Sequence, residues 1–144
     1  MKLTFEKPEN GWLPIKFQNE DFRLEFTSSK TPENPIKQFC SNLIQSAKGT
    51  DTITIFNTEP ELYLFKINQK KNEFNFEIIH HEKPKREVSV YNEKGTFEEI
   101  FLPLFRAIKK FSTIDFKSSD WEKIDSHKIE KLDKVIAEEK AIRN

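Results

Sequence analysis

The sequence predicts an α+β fold: a mainly antiparallel sheet of about seven strands with helices packed on one of its faces. Three observations predict it. Between Asp51 and Asn92, four short runs alternate apolar and polar residues with turn-forming residues between them, the pattern of an antiparallel meander with one buried face. Ile36 to Ala47 and Phe97 to Phe111 instead repeat apolar residues three and four positions apart, which gathers them on one side of a helix. Ahead of both, the chain from Leu3 to Phe26 carries three further alternating runs. The expected order is three strands, one helix, four strands, then two or three helices.

Leu3 and Phe5 open the first strand, which Pro8, Asn10 and Gly11 end. Leu13, Ile15 and Phe17, then Phe22, Leu24 and Phe26, flank the polar turn Gln18-Asn19-Glu20-Asp21 as a hairpin. Pro14 has no amide hydrogen and is expected at an edge or strand start. Asn34-Pro35 predicts a helix N-terminus, with Asn34 capping and Pro35 in the first turn, where its missing N–H is not needed. Ile36, Phe39, Cys40, Leu43, Ile44 and Ala47 complete that helix's apolar stripe, and Gly49 follows as its stop.

In the meander, Ile53 and Ile55 alternate, then Tyr63, Phe65 and Ile67, then Phe74, Phe76 and Ile78, then Val88 and Val90. Ile53, Ile55, Phe65, Phe74, Phe76 and Val88 are expected to face inward, against the two helical stripes. Leu62 and Leu64 make the second strand apolar on both sides, so it should be central or covered by a helix. Thr96-Phe97-Glu98-Glu99 has the spacing of a capping box. Pro103 then interrupts the stripe at a cost on the order of 3 kcal/mol, predicting a kink or a break into two pieces. Ser119-Asp120-Trp121-Glu122 repeats the capping-box spacing and is expected to start another helix, whose Ile124, Ile129, Leu132, Val135 and Ile136 touch the body along a narrow seam.

At 144 residues the chain has the size of one domain, residues 1–144, large enough to bury a core. Hydrophobic residues are only 35% of it, but 14 of them are Phe, so the core should be built from few, bulky aromatic pieces. Lys+Arg and Asp+Glu both number 24, which leaves no net field to attract nucleic acid or an anionic membrane. One cysteine excludes an internal disulfide framework and fits a reducing compartment. The opening residues lack a signal-peptide core, and no run approaches the roughly 18 apolar residues of a membrane span, so a cytoplasmic location is expected.

Candidates for chemistry are sparse. His80 and His81 adjoin on a strand and should point to opposite faces, ill suited to sharing a metal. Cys40 sits within an apolar stripe rather than in the accessible, pKa-lowering site a nucleophile needs. Glu98-Glu99 is accounted for by the cap and the positive helix end, and Glu138-Glu139 by a solvated face. Three glycines cannot build a phosphate loop, and no cofactor is implied. Lys83, Lys85 and Arg86 form the densest basic cluster, which without a net positive field a solvated turn explains much better than a nucleic-acid patch does. Trp12 precedes an inward alternation and should point outward, either as a binding anchor or as the floor beneath the C-terminal helices. With Leu64 and Tyr91, expected on the outward face of the meander, Trp12, Lys83, Lys85 and Arg86 are the candidate protein-binding residues.

In Glu9-Asn10-Gly11-Trp12-Leu13-Pro14, followed by Asp21-Phe22 opening a strand and Asn34-Pro35 opening a helix, the chain resembles small uncharacterised bacterial proteins encoded beside contact-dependent or polymorphic toxins as their cognate immunity proteins. The resemblance covers mainly the first 50 residues. It implies a soluble, cytoplasmic, non-catalytic protein that inhibits a toxin domain by binding it. Two other readings stand beside this one. The first is a small-ligand carrier or enzyme with a pocket between the meander and the Pro103 helix, and the second is an assembly subunit.

Overall fold

The computed structural model describes residues 1–82 and 86–143. Strands β1 (Lys2–Phe5), β2 (Trp12–Asn19) and β3 (Phe22–Ser29) precede helix α1 (Pro35–Ala47). Strands β4 (Thr52–Asn57), β5 (Leu62–Lys70), β6 (Glu73–Glu82) and β7 (Arg86–Gly95) follow. A π-helical turn over Phe97–Phe101 then runs into α2 (Leu102–Phe111), and α3 (Ser126–Arg143) comes last. All seven strands join one antiparallel sheet in the order β1 to β7, the α+β architecture that the alternations predict.

Local chemistry explains where the elements start and stop. The side chain of Asn34 accepts the Ile36 and Lys37 N–H groups at 3.0 and 3.4 Å, capping α1. The capping box at Thr96 is closed in both directions: Glu99 N–H donates to Thr96 Oγ1 at 3.2 Å, and Thr96 N–H to Glu99 Oε1 at 3.0 Å. Pro103 cannot return an N–H to the carbonyl four residues back. The turn before it widens instead, with Leu102 N–H reaching the Phe97 carbonyl, so the helix divides into a π and an α piece as the proline predicts. Pro14, by contrast, lies within β2, which has a neighbour on each side. Its carbonyl takes the Glu6 N–H just past the end of β1, so its missing donor faces a position where that neighbour has stopped.

The segment after α2 departs from expectation. Ser119 to Glu122 does not start a helix, and α3 begins at Ser126 with Asp125 Oδ1 accepting the His127 N–H at 2.9 Å. Two tertiary contacts outcompete the local cap. Trp121 is fully buried, and Asp120 turns toward the first loop, its carboxylate accepting Asn10 N–H at 2.9 Å and its carbonyl accepting Gly11 N–H at 2.8 Å. Asn10 and Gly11 both lie at positive φ, 51° and 83°, which aims the two amides the same way.

The core is aromatic. Phe5 of β1 meets Phe39 of α1 at 5.7 Å, Phe56 of β4 at 6.2 Å and Phe111 of α2 at 6.2 Å. Phe17 of β2 reaches Phe76 of β6 at 5.8 Å, although four strand spacings would separate them by about 19 Å in a flat sheet. The sheet must therefore curl. It does so at β3–β4, which are joined by the single pair Ser29–Asn57. The three helices fill the concave side. There α3 contributes Leu132, Val135 and Ile136, with Ile129 partly buried beside them, the narrow seam expected. Lys128 donates to Ser41 Oγ and Lys109 pairs with Asp133, both at 2.9 Å, fastening α3 to α1 and α2.

Candidate functional site

The curl leaves the backbone edge of β4 without a strand partner over most of its length, and α1 supplies the missing groups. Gln38, Asn42 and Ser46 lie four residues apart on one side of that helix. Gln38 Oε1 accepts the Ile55 N–H at 2.9 Å, and Asn42 Nδ2 donates to the Ile53 carbonyl and to Thr54 Oγ1, both at 2.9 Å. The Ser46 and Thr52 hydroxyls share a hydrogen bond of 2.7 Å. Thr52, Thr54 and Phe56 are thereby the inward residues of β4.

This reverses the expected facing of the strand. Ile53 and Ile55 are 48% and 43% exposed on the convex side, because a period-two alternation fixed by Phe56 and two threonine hydroxyls leaves them nowhere else to point. Cross-strand register places Ile55 opposite Leu64, and Leu64 opposite Ile79, an apolar row across three strands. Leu64 and Ile79 are half-buried. β5 is central, as its two apolar faces predict, but among the described residues no helix covers the second one. Phe65, Phe74 and Phe76 face inward as expected, while Val88 is only half-buried.

Trp12 belongs to the same convex face. It is 39% exposed and pairs with Ser29, which pairs with Asn57 and, through it, Leu62. Its position rules out the alternative of a tryptophan beneath the C-terminal helices. Tyr91 does not share this face. A register shift between Ile78 and Ile79 sets Tyr91 opposite inward Ile78, so its ring lies on Phe17 at 4.6 Å and its hydroxyl accepts from Asn19 Nδ2 at 2.8 Å. Burial first, then nearby Glu93, raises its pKa despite the Asn19 bond. Arg86 is exposed opposite Glu82, on the side of His80 rather than of Leu64. Lys83 and Lys85 lie outside the described residues.

One constellation was not read from the sequence. His80 directs Nε2 to Glu61 Oε1 at 3.0 Å and Nδ1 to Glu82 Oε1 at 3.4 Å. Its ring stacks on Tyr63 at 4.4 Å, and Tyr63 on Phe26 at 4.2 Å. Burial, followed by Glu61 and Glu82, raises the Tyr63 pKa. The Nε2 contact ties the residue just before β5 to β6. His81 points the other way, to Glu87 at 3.3 Å. Only cross-strand register, which sequence alone did not supply, brings Glu61 to His80.

The remaining candidates are structural. Burial pushes the Cys40 thiol up to about 11, with Lys128 opposing, so it is protonated at neutral pH. Between the meander and the Pro103 helix, Phe74 packs against Phe97 at 5.9 Å and Phe101 at 5.6 Å, and beside these rings a pocket of about 360 Å³ opens among Asn72, Thr96, Glu98, Glu139 and Arg143. Among the described residues no three His, Cys, Asp or Glu side chains converge as metal ligands, and no helix is long and apolar enough to cross a membrane.

Fold and surface thus define an α+β domain with a packed concave side and an open, partly apolar convex sheet face. Compared with protein-family models, curated proteins and solved structures, the chain matches none.

Proposed function

We propose that this chain is a non-catalytic protein-binding module, most concretely a cytoplasmic immunity-type protein that neutralises a bacterial toxin domain by direct binding. The observation that carries the reading is the row Ile55–Leu64–Ile79, with Ile53 beside it, on the convex sheet face. Two exposed isoleucines beside half-buried Leu64 and Ile79 on one sheet face are a surface that another protein can dry. Their strand is held along its backbone edge by Gln38, Asn42 and Ser46, so little order has to be gained on docking. Trp12, at the margin of the same face, supplies the kind of residue on which binding energy concentrates. The zero net charge favours a protein partner over nucleic acid or an anionic membrane.

The test is protection and capture. Co-expression with each toxin candidate from the adjacent genes should restore growth for one of them, and that toxin domain should co-purify with the chain. Ile55→Glu should weaken the complex by at least about 2 kcal/mol, on the order of 30-fold in Kd, while leaving the melting transition in place. Failure of protection against every adjacent candidate would overturn the reading, as would full protection by a folded Ile53→Glu/Ile55→Glu variant.

A further inference from the structure

We propose that the outer edge of β3 is a self-association surface, on which two copies of this chain pair β3 with β3 antiparallel about a two-fold axis through Leu24. β3 and β4 meet only at their last residues, Ser29 and Asn57, and because they are antiparallel each runs on past the end of the other. The edge of β3 from Phe22 to Thr27 therefore has no strand beside it. Which residues present backbone there follows from β2. Pro14 turns its carbonyl toward Glu6, so Pro14 and Thr27 face each other without exchanging bonds, and Thr27 points its N–H and C=O away from β2. Two and four residues back, Glu25 and Arg23 do the same. Among the described residues, nothing hydrogen-bonds these groups.

The other strand edges are covered or guarded. α2 packs along β1, where Phe5 meets Phe111. Gln38 and Asn42 of α1 bond the edge of β4. β7 is broken by the register shift at Ile78–Ile79. An open edge is a template for another strand, and proteins ordinarily guard it with bulges, lysines or prolines. β3 has none of these. Its register with β2 is unbroken from Phe22 to Ser29, with Phe22, Leu24 and Phe26 half-buried on one face and Arg23, Glu25 and Thr27 exposed on the other.

Self-complementarity selects the occupant. With the axis through Leu24, Arg23 lies opposite Glu25 of the second copy and Glu25 opposite its Arg23. These are the residues whose backbone faces outward, so each pair also exchanges its N–H···O bonds. On the other face Leu24 meets Leu24, and Phe22 meets Phe26 in both directions, so like side chains cover one another. Moving the axis by one residue sets Arg23 against Arg23 or Glu25 against Glu25, and charge thus fixes a single register. Arg23 has no ion pair among the described residues, and Glu25 reaches only Lys16, at 3.9 Å, so both charges are available. An unrelated strand would use the backbone groups alike, whereas a second copy also matches both faces. The inference goes beyond the inhibitor reading and shares no residue with Ile53, Ile55 and Leu64, so either can fail alone.

The test is analytical ultracentrifugation of the full chain from about 10 μM to about 1 mM, a range chosen because interfaces below about 1,200 Å² associate weakly. Amide hydrogen exchange is followed at both ends of it. The chain should pass from monomer to dimer, and the Arg23 and Glu25 amides should gain protection as it does. Arg23→Glu and Glu25→Arg, each at an exposed position, should keep the native melting transition at the lowest concentration and weaken association on the order of tenfold or more. Combining them as Arg23→Glu/Glu25→Arg should restore it. A chain that stays monomeric throughout, whatever other strand it accepts, would overturn the proposal. So would a dimer indifferent to the single charge reversals, a combined variant that fails to recover, or a dimer without added protection at Arg23 and Glu25.

Discussion

At the scale of single residues, burial decides behaviour that residue type alone leaves open. Cys40 lies between Phe39 and Leu43 on the buried stripe of α1, and burial raises its thiol to about 11. A raised thiol pKa leaves almost no thiolate at pH 8, and the side chain is also out of reach of a reagent. Labelling of Cys40 by a disulfide reagent should therefore wait on unfolding, proceeding slowly in buffer and at the rate of a free thiol in urea. Rapid labelling of the native chain would contradict its placement. Phe56 is the opposite case, a residue whose packing fixes its neighbours. Phe56→Ala should lower stability by about 3–5 kcal/mol in urea unfolding, since its ring touches Phe5, Phe39 and Phe65. It should also loosen the alternation that turns Ile53 and Ile55 outward.

At the scale of elements, the legible parts of the sequence were those whose signal is local. Asn34-Pro35, the Thr96 box and the break at Pro103 each rest on hydrogen bonds within a few residues, so spacing alone located them. The capping box also carries a pH dependence. Hydrogen bonds from Thr96, the backbone N–H first and the hydroxyl second, hold the exposed Glu99 carboxyl below its ordinary value of 4.5. A lowered carboxylate pKa adds stability that is complete above 4.5 and is lost as pH falls through the folded-state value. In thermal melts, Glu99→Gln should thus differ most from the native sequence near neutral pH, and the gap should close in acid. A gap that widened in acid would reverse the assignment. The elements that defied their local signal did so through distant partners. The facing of β4 was set by Gln38, Asn42 and Ser46 on a helix, where alternation gave only two equivalent choices. Tyr91 was turned inward by one irregular pair in β6–β7, which no composition marks. Ser119 to Glu122 had a helix-start pattern, yet Asp120 found Asn10 and Gly11, and Trp121 found the core.

At the scale of the molecule, the same long-range partners bear on how the chain comes apart. As a sheet it is two pieces, β1–β3 and β4–β7, joined by the single pair Ser29–Asn57. If backbone pairing controlled cooperativity, the halves would separate. The aromatic contacts argue otherwise: Phe5 joins β1 to α1, β4 and α2, Phe17 joins β2 to β6 and β7, and Phe26 joins β3 to β5. Each bridges the gap with large buried areas, which outweigh one missing ladder of net bonds worth about 1 kcal/mol apiece. The chain should then unfold as one unit. Trp121 reports on the C-terminal part of the core, and Cys40 on α1. In a Trp12→Phe background, which leaves Trp121 as the sole indole, urea transitions followed by Trp121 fluorescence, Cys40 accessibility and far-ultraviolet circular dichroism should share one midpoint. If Trp121 released early while Cys40 stayed protected, the Asp120 tie to the first loop would be a local latch. The aromatic bridges would then hold only the sheet and α1 together.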